Sequence, residues 1–327
     1  MALLAAAIAI FATLLLSVPY YSIAPGPAED VFRLIEIDGA ATTRANGRLL
    51  LTTVSLQAVH VADMVRSWFD PRYEIVSRSA VVPPGETDED AARRTLEQMD
   101  ESQLLASAAA LKFLGYDVPV TNSGVRVQNV LPDTPAAATL ERGDVIVGVD
   151  GRSITKIEEF VADINRHKVG DDVVLEVLRG DSKVSVRTKT VGRPENPVEP
   201  IIGIEPSDVA QPNLPLAIEI DSLGIGGPSA GLMYALGVVD LLDHRDLVGG
   251  RTIAGAGEIS IDGTVTPVGG IRQKIDGAKH VGAETFLVPD GQRGEACRVA
   301  GDLRVVAVDS LEQAVTKLSG TELETEC

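Results

Sequence analysis

Cysteine, histidine and aromatic residues are scarce in this sequence. Its 327 residues include two cysteines, Cys297 and Cys327, four histidines and 4% aromatic residues. The cysteines form no CxxC pair and the histidines form no HExxH motif, so the sequence predicts neither a structural nor a catalytic metal. A disulfide between the two cysteines and a pair of free thiols are both compatible with this spacing.

Positive charge is also in short supply. The 29 lysines and arginines face 47 aspartates and glutamates, which gives a net charge of -18 and a pI of about 4.6. Such a surface repels a phosphate backbone, so we expect no nucleic-acid partner. The chain has no GxxxxGK[ST] motif and no GxGxxG after a predicted strand, so we expect no nucleotide and no other cofactor.

Charge is missing altogether from residues 2–28. An apolar run extended to Ala24 reaches the roughly 20 residues that cross a bilayer as a helix. Tyr20 and Tyr21 lie where an interfacial aromatic belt is expected. The sequence therefore predicts a transmembrane anchor over residues 1–24 and a single-pass protein of the cell membrane. A signal peptide cleaved after Ala24 is the alternative, although Pro25 at the cut disfavours it.

The next segment, residues 25–116, is predicted to be a small α/β region. Short apolar runs at 31–37 and 47–54 are typical of strands, and residues 58–68 have helical spacing. A second helix is predicted from Asp88 to Phe113, because acidic residues fill its first turn and Leu114-Gly115 follows its end.

A β-rich module follows at residues 117–192. The segments 130–136 (Val-Leu-Pro-Asp-Thr-Pro-Ala), 140–146 and the Asp150-Gly151 turn resemble a PDZ domain. The resemblance implies binding of peptide C-termini by strand addition to a sheet edge, with a spacer or gate as the alternative role. The usual carboxylate-binding loop has no recognisable counterpart before residue 125. Residues 193–200 are rich in proline and are predicted to be a linker.

A serine stands in an unusual glycine-rich turn after residue 200. Residues 224–231 (Gly-Ile-Gly-Gly-Pro-Ser-Ala-Gly) precede an apolar run at 232–242. Ser229 would lie near a helix N-terminus, where free N–H groups stabilise an oxyanion. Ser229 as a simple helix cap is the alternative. A cap needs neither the Gly-Gly-Pro before the serine nor the small residues after it, so the pattern favours a reactive residue.

A lysine stands in a second glycine turn at residues 263–274, which also opens a predicted helix. Most lysines are surface residues with a buried stem. A buried Lys274, however, would have a lowered pKa and could accept a proton from a serine hydroxyl near neutral pH. No histidine is needed in such a dyad.

The serine and lysine motifs together resemble the proteolytic domain of Lon-type proteases over residues 201–320, followed by a tail at 321–327. The segments that carry the resemblance are 227–231 (Gly-Pro-Ser-Ala-Gly), 257–259 (Gly-Glu-Ile), 267–271 (Pro-Val-Gly-Gly-Ile) with Lys274, and 283–289. The whole chain resembles bacterial, membrane-anchored PDZ–Lon-like serine proteases.

This resemblance implies an α+β, multidomain fold with an extracytoplasmic catalytic body and assembly as a homo-oligomer such as the hexamer of Lon. It also implies Ser229 as nucleophile, Lys274 as general base, and the backbone N–H groups of Gly227 and Ser229 as the oxyanion hole.

Two positions depart from the Lon pattern. Lon often has an acidic residue where this chain has Gly226, and a threonine where it has Ala256. Thr252 or Ser260 is the predicted substitute for that threonine in orienting the lysine. The predicted function is an ATP-independent serine endopeptidase that acts on unfolded or membrane-associated proteins. The alternative is a non-catalytic, membrane-anchored PDZ scaffold with an inactive Lon-like domain that oligomerises.

Overall fold

The computed structural model describes residues 17–327 except 44–45, 68–69, 71–72, 83–86, 181, 244, 321–324 and 326. The strands are β1 Ser17–Asp30, β2 Ile35–Asp38, β3 Arg48–His60, β4 Glu74–Ser77, β5 Val120–Val130, β6 Val145–Val149, β7 Arg152–Ser153, β8 Asp172–Arg179, β9 Ser182–Lys189, β10 Val191–Arg193, β11 Asn196–Ile201, β12 Ile204–Pro212, β13 Ala217–Ile220, β14 Thr252–Gly255, β15 Glu258–Ile259, β16 Val265–Thr266, β17 Thr285–Pro289 and β18 Arg304–Val308. The α-helices are α1 Val61–Ser67, α2 Arg78–Val81, α3 Asp88–Phe113, α4 Ile157–Ile164, α5 Gly231–Leu242, α6 Ile271–His280, α7 Arg293–Ala300 and α8 Leu311–Leu318. Short 3₁₀ turns occur at Val31–Arg33, Pro135–Ala138, Pro228–Ala230 and Asp290–Gln292.

The chain folds into two compact units. The first unit combines residues 1–118 with residues 214–327, and the second comprises residues 119–213. This division differs from the predicted one, in which residues 25–116 formed a separate region and the proteolytic domain began at residue 201. The physical reason is non-local pairing, because β3 from the first segment pairs in parallel with β14 from the last.

A mixed sheet organises the first unit, with the strand order β18-β17-β14-β3-β1-β4. Strands β3, β14, β17 and β18 run parallel, while β1 is antiparallel to both of its neighbours. Alternate residues of each parallel strand point to opposite faces, so one strand supplies two cores. In β3, for example, Leu49 and Leu51 belong to one core and Leu50 to the other.

Helices cover both faces of this sheet. Helices α3, α5 and α8 pack on the Leu49 face, and α6 and α7 pack on the Leu50 face. Helix α5 is buried over its whole length up to Asp240, which explains why its sequence is apolar all round. The serine motif leads into α5 on one face of the sheet, and the lysine motif leads into α6 on the other face.

The second unit is built on a sheet with the order β12-β5-β6-β8-β9, and β7 pairs with β6. Strands β8 and β9 form an antiparallel hairpin, and helix α4 lies between β7 and β8. Asp150 and Gly151 both have positive φ, as the predicted Asp-Gly turn requires. Asn213 N donates to Pro119 O (2.9 Å), so the entry and exit of the unit are bonded to each other.

The predicted linker at residues 193–200 was wrong. Most of its residues belong to the β10–β11 hairpin, in which Val191 pairs with Ile201 and Gly192 with Pro200. The next strand, β12, pairs with β5 of the same unit instead of opening the proteolytic domain. Prolines did not prevent pairing here, because both strands lie outside any larger sheet, where missing N–H groups are tolerated.

The predicted end of the membrane helix at Ala24 was also wrong. Residues 17–24 belong to β1, where Tyr21 pairs with Ala58 of β3 on one side and with Val76 of β4 on the other. Residues 1–16 of the predicted helix lie outside the described residues. In the part of the chain that the structure describes, no helix combines the length and the apolar character that crossing a bilayer requires.

Two smaller differences concern a helix and the cysteines. Residues 58–60 of the predicted helix 58–68 extend β3, α1 covers Val61–Ser67, and Trp68 lies outside the described residues. Cys297 and Cys327 form a disulfide, which decides between the two alternatives that the sequence left open and ties the chain end to α7.

Candidate active site

Ser229 lies in a tight turn at the start of α5. We call residues 226–231 the serine turn. Gly227 has φ 91°, a conformation that side-chain-bearing residues avoid, and Pro228–Ala230 form a 3₁₀ turn that leads into the helix at Gly231. The first residues of a helix have N–H groups without intrahelical partners. Ser229 is half-buried, so its hydroxyl is within reach of a substrate.

The backbone of the serine turn and of the start of α5 is bonded to Gly257, in one of the segments that resemble Lon. Gly257 N donates to Ser229 O (2.9 Å), and Leu232 N donates to Gly257 O (3.0 Å). A side chain at Gly257 would lie 3.2 Å from Leu232 Cβ, which explains why glycine occupies this position. Gly257 therefore bonds the carbonyl of Ser229 and the first turn of α5 to the same peptide segment.

Lys274 lies on the second turn of α6, with its side chain only 2% exposed. Gly270 begins the helix in the left-handed conformation (φ 71°), and its O accepts the bond from Lys274 N (2.9 Å). Lys274 Nζ donates to Ser229 Oγ across 2.6 Å, although the two residues are 45 positions apart. The structure thus brings together the two side chains that the sequence singled out.

Burial of the Lys274 ammonium lowers its pKa from the usual value to about 8. Among the described residues, no carboxylate lies within ion-pair distance of Lys274, so nothing offsets the loss of hydration. An amine with this pKa is partly neutral at physiological pH, and it can then accept the proton of a hydroxyl 2.6 Å away. The arrangement has the geometry of an activated serine nucleophile.

One predicted oxyanion donor is engaged elsewhere. Gly227 N donates to Thr95 O of α3 (2.6 Å), so in this structure it is not free to bind an oxyanion. Ser229 N belongs to the first turn of the 3₁₀ segment and is the remaining predicted donor.

Comparisons with known proteins identify both parts of the chain. The family model described as the Lon protease (S16) C-terminal proteolytic domain matches residues 214–319, and the PDZ domain model matches residues 112–190. Lon protease 2 of Herpetosiphon aurantiacus is 39% identical over 93 residues, which are 27% of this chain and 11% of that protein. Lon protease 2 of Bacillus subtilis is 31% identical over 144 residues, which are 42% of this chain and 25% of that protein. The chain combines a PDZ domain with a Lon-type proteolytic domain.

The chain spans a quarter or less of the length of these two relatives. Among solved structures, the PDZ domain of an SdrC-like protein from Listeria monocytogenes is 35% identical, with coverage of 27% of this chain and 92% of that one and a TM-score of 0.25. The Lon-type match contains Ser229 and Lys274, and the PDZ match lies largely within the second unit.

The two residues predicted to orient the lysine of the Lon-type domain lie elsewhere. Thr252 begins β14, where its N–H donates to Glu284 Oε1 (3.3 Å). Ser260 Oγ donates to Asp262 Oδ1 (2.5 Å) and stabilises a turn. Neither side chain is bonded to Lys274, whose recorded partner is Ser229. Neither of the two predicted residues therefore orients Lys274 through a hydrogen bond.

The structure explains one departure from the Lon pattern. A Cβ on Gly226 would lie 2.6 Å from Thr95 Oγ1 and 2.9 Å from Thr95 Cβ, so α3 occupies the space of an acidic side chain. Helix α3 is part of the site although no sequence pattern indicated it. Its contact to the serine turn through Ser102 joins residues 126 positions apart, and no local pattern signals such a contact.

We expect Lys274→Met to stabilise the protein at neutral pH, because methionine removes a buried charge and keeps a similar volume. A pKa lowered from 10.5 to about 8 means that the charged form costs about 3 kcal/mol at pH 7. The unfolded chain binds more protons than the folded one between pH 8 and 10.5, so wild-type stability rises with pH in that window. The advantage of the variant should therefore shrink from pH 7 to pH 10 in urea unfolding.

Lys279→Met, on the same helix with a more exposed amine, is the matched control and should show no such pH-dependent gain. Equal stability of wild type and Lys274→Met at pH 7 would contradict a lowered lysine pKa.

Proposed function

We propose that this protein is an ATP-independent serine endopeptidase that uses Ser229 and Lys274 as its catalytic dyad. The observation that carries the proposal is the 2.6 Å contact between a half-buried hydroxyl and an amine that is 2% exposed. The Lon-type match over residues 214–319 supports peptide-bond hydrolysis as the reaction. We place its substrates among unfolded or membrane-associated proteins.

The proposed reaction begins with neutral Lys274. Its Nζ accepts the proton of Ser229 Oγ while Oγ forms a bond to the peptide carbonyl carbon, which gives a tetrahedral oxyanion near Ser229 N. Lys274 then passes the proton to the leaving amine as the C–N bond breaks. Water attacks the acyl-enzyme, Lys274 takes a proton from that water, and release of the acid returns the hydrogen to Ser229 Oγ.

We further propose that the PDZ domain selects substrates by binding peptide C-termini along β12. This strand lies at the end of the strand order, next to β5. Helix α4 lies beside it, because Ile157 N donates to Asp208 Oδ1 of β12 (2.7 Å). Ile157 and Val161 share a face of α4, and Val161 is 37% exposed. These contacts support a peptide added to β12 beside α4.

Membrane attachment through the N-terminal segment completes the proposal, with an extracytoplasmic catalytic body. The support is the absence of charge in residues 2–28 and the Cys297–Cys327 disulfide, since disulfides persist in oxidising compartments. Cleavage after Ala24 would remove the part of β1 that pairs with β4, which favours a retained N-terminus. The oligomeric state stays a prediction of the family resemblance.

For catalysis, we expect Ser229→Ala and Lys274→Ala each to lower casein cleavage by about 10³-fold or more, with the fold intact by circular dichroism. Because the base must be neutral, kcat/KM should rise with pH and level off above about 8. Lys279→Ala is the control and should cleave normally. A wild-type chain that leaves unfolded casein intact at pH 9 would favour the scaffold alternative.

For the PDZ domain, we expect a fluorescent peptide with a free C-terminal carboxylate to bind and its amidated form to bind at least ten-fold more weakly. Val161→Asp should weaken binding by a similar factor, because it places a negative charge beside β12. Val169→Asp changes a valine of similar exposure (44%) outside α4 and should leave the dissociation constant unchanged. Equal dissociation constants of the two peptides in fluorescence polarisation would contradict the proposal.

For the anchor, we expect the full-length chain in the membrane fraction and a chain that starts at Ser17 in the soluble fraction, with the same melting temperature. A chain that starts at Pro25 should melt at a lower temperature, because β4 loses its partner. Recovery of the full-length chain from the soluble fraction contradicts the anchor. Equal melting of the two shortened chains contradicts the structural need for residues 17–24.

A further inference from the structure

Helix α3 forms hydrogen bonds with two successive residues of the serine turn. Ser102 Oγ donates to Pro228 O (3.0 Å), and Gly227 N donates to Thr95 O (2.6 Å). Thr95 and Ser102 are seven positions apart, which is two helical turns, so both lie on the same face of α3. Ser102 is 3% exposed, so water does not compete for this bond.

The contact is close as well as polar. A Cβ on Gly231 would lie 2.9 Å from Ser102 Oγ, and one on Gly226 would lie 2.6 Å from Thr95 Oγ1. The serine turn thus carries glycine at both of its ends, where α3 approaches. Since α3 also packs against α5 in the main core, the turn is held between two helices that are themselves fixed.

The bond to Pro228 O has a geometric consequence for the next residue. The peptide that joins Pro228 to Ser229 is planar and trans, so its C=O and its N–H point in opposite directions. Pro228 O accepts from Gly231 N within the 3₁₀ turn and from Ser102 Oγ of α3. The second bond holds the C=O toward α3 and thereby keeps Ser229 N–H directed away from α3. The proline ring fixes its own φ, which leaves the turn few ways to relax.

We propose that Ser102 is a positioning residue for Ser229, acting through the carbonyl of Pro228. It fixes both functional groups of Ser229: the direction of the oxyanion-binding N–H and the distance from Oγ to Lys274 Nζ. This role rests on the proposed dyad, and it adds α3 to the machinery that the serine and lysine motifs define.

The test compares Ser102→Ala with Ser107→Ala. Ser107 is on the same helix, is 2% exposed, and bonds its hydroxyl to Gln103 O (2.8 Å) within α3. We expect Ser102→Ala to lower kcat on casein-derived peptides by about 10- to 100-fold, in the range of a misplaced oxyanion donor. KM should stay within two-fold. Ser107→Ala should keep the wild-type kcat.

Ser102→Cys separates the hydrogen bond from packing, because a thiol fills the space but donates weakly. We expect kcat of this variant to stay low, whereas recovery to the wild-type value would assign the effect to volume alone and overturn the proposal. Gly226→Ala disturbs the second contact between α3 and the serine turn, because its Cβ would push the turn away from Thr95. This variant should also lower kcat with KM unchanged.

Hydrogen exchange decides the question even if the protein cleaves nothing. Peptides that cover residues 224–232 should exchange faster in Ser102→Ala than in wild type or Ser107→Ala. A wild-type chain without Ser229-dependent cleavage would refute the proposed function, while faster exchange would still support the contact. Equal exchange in Ser102→Ala and Ser107→Ala, or an unchanged kcat in an active enzyme, would overturn the role of Ser102.

Discussion

The burial of one amine governs the rest of this site. Lys274 is almost fully buried, and its amine donates a hydrogen bond to the hydroxyl of Ser229. Burial lowers the pKa of this amine to about 8. An ammonium in such a place is unstable unless the surrounding structure holds it there. Helix α6 does so through Ile271, Ile275 and Ala278, which anchor the same helix in a core beneath the sheet. The buried amine thus lowers the stability of the fold, and the same burial makes it a base that can accept a proton.

The site depends equally on a sheet built from distant parts of the chain. Ser229 comes from the Leu49 face and Lys274 from the Leu50 face, and they meet because β3 and β14 hold the two layers in register. Strand β3 comes from the N-terminal segment. A fragment that begins at residue 201 would therefore lack β1 and β3 of the main sheet. It would also lack helix α3, which contacts the serine turn.

Local patterns were enough to predict what lies within one turn or one hairpin. The glycine-rich turns indicated Ser229 and Lys274, the acidic first turn marked the start of α3 at Asp88, and Asp150-Gly151 marked a hairpin. Non-local pairing could not be predicted in this way. Residues 17–24 are apolar enough for a membrane helix, yet they form a strand, because β3 and β4 offer hydrogen bonds that sequence periodicity does not register. The contact of Ser102 with Pro228 was invisible for the same reason.

The position of the PDZ unit along the chain has a consequence for how this architecture can vary. The unit is inserted between α3 and β13, and its first and last residues, Pro119 and Asn213, are bonded to each other. Because its two ends are adjacent, the unit connects α3 to β13 as a short loop would, whatever the number of residues inserted. Such a cassette can be removed, exchanged or enlarged during evolution without moving either flanking element. Helix α3 before the insertion carries Ser102, and β13 after it is followed by the serine turn, so both flanking elements belong to the unit that holds the nucleophile.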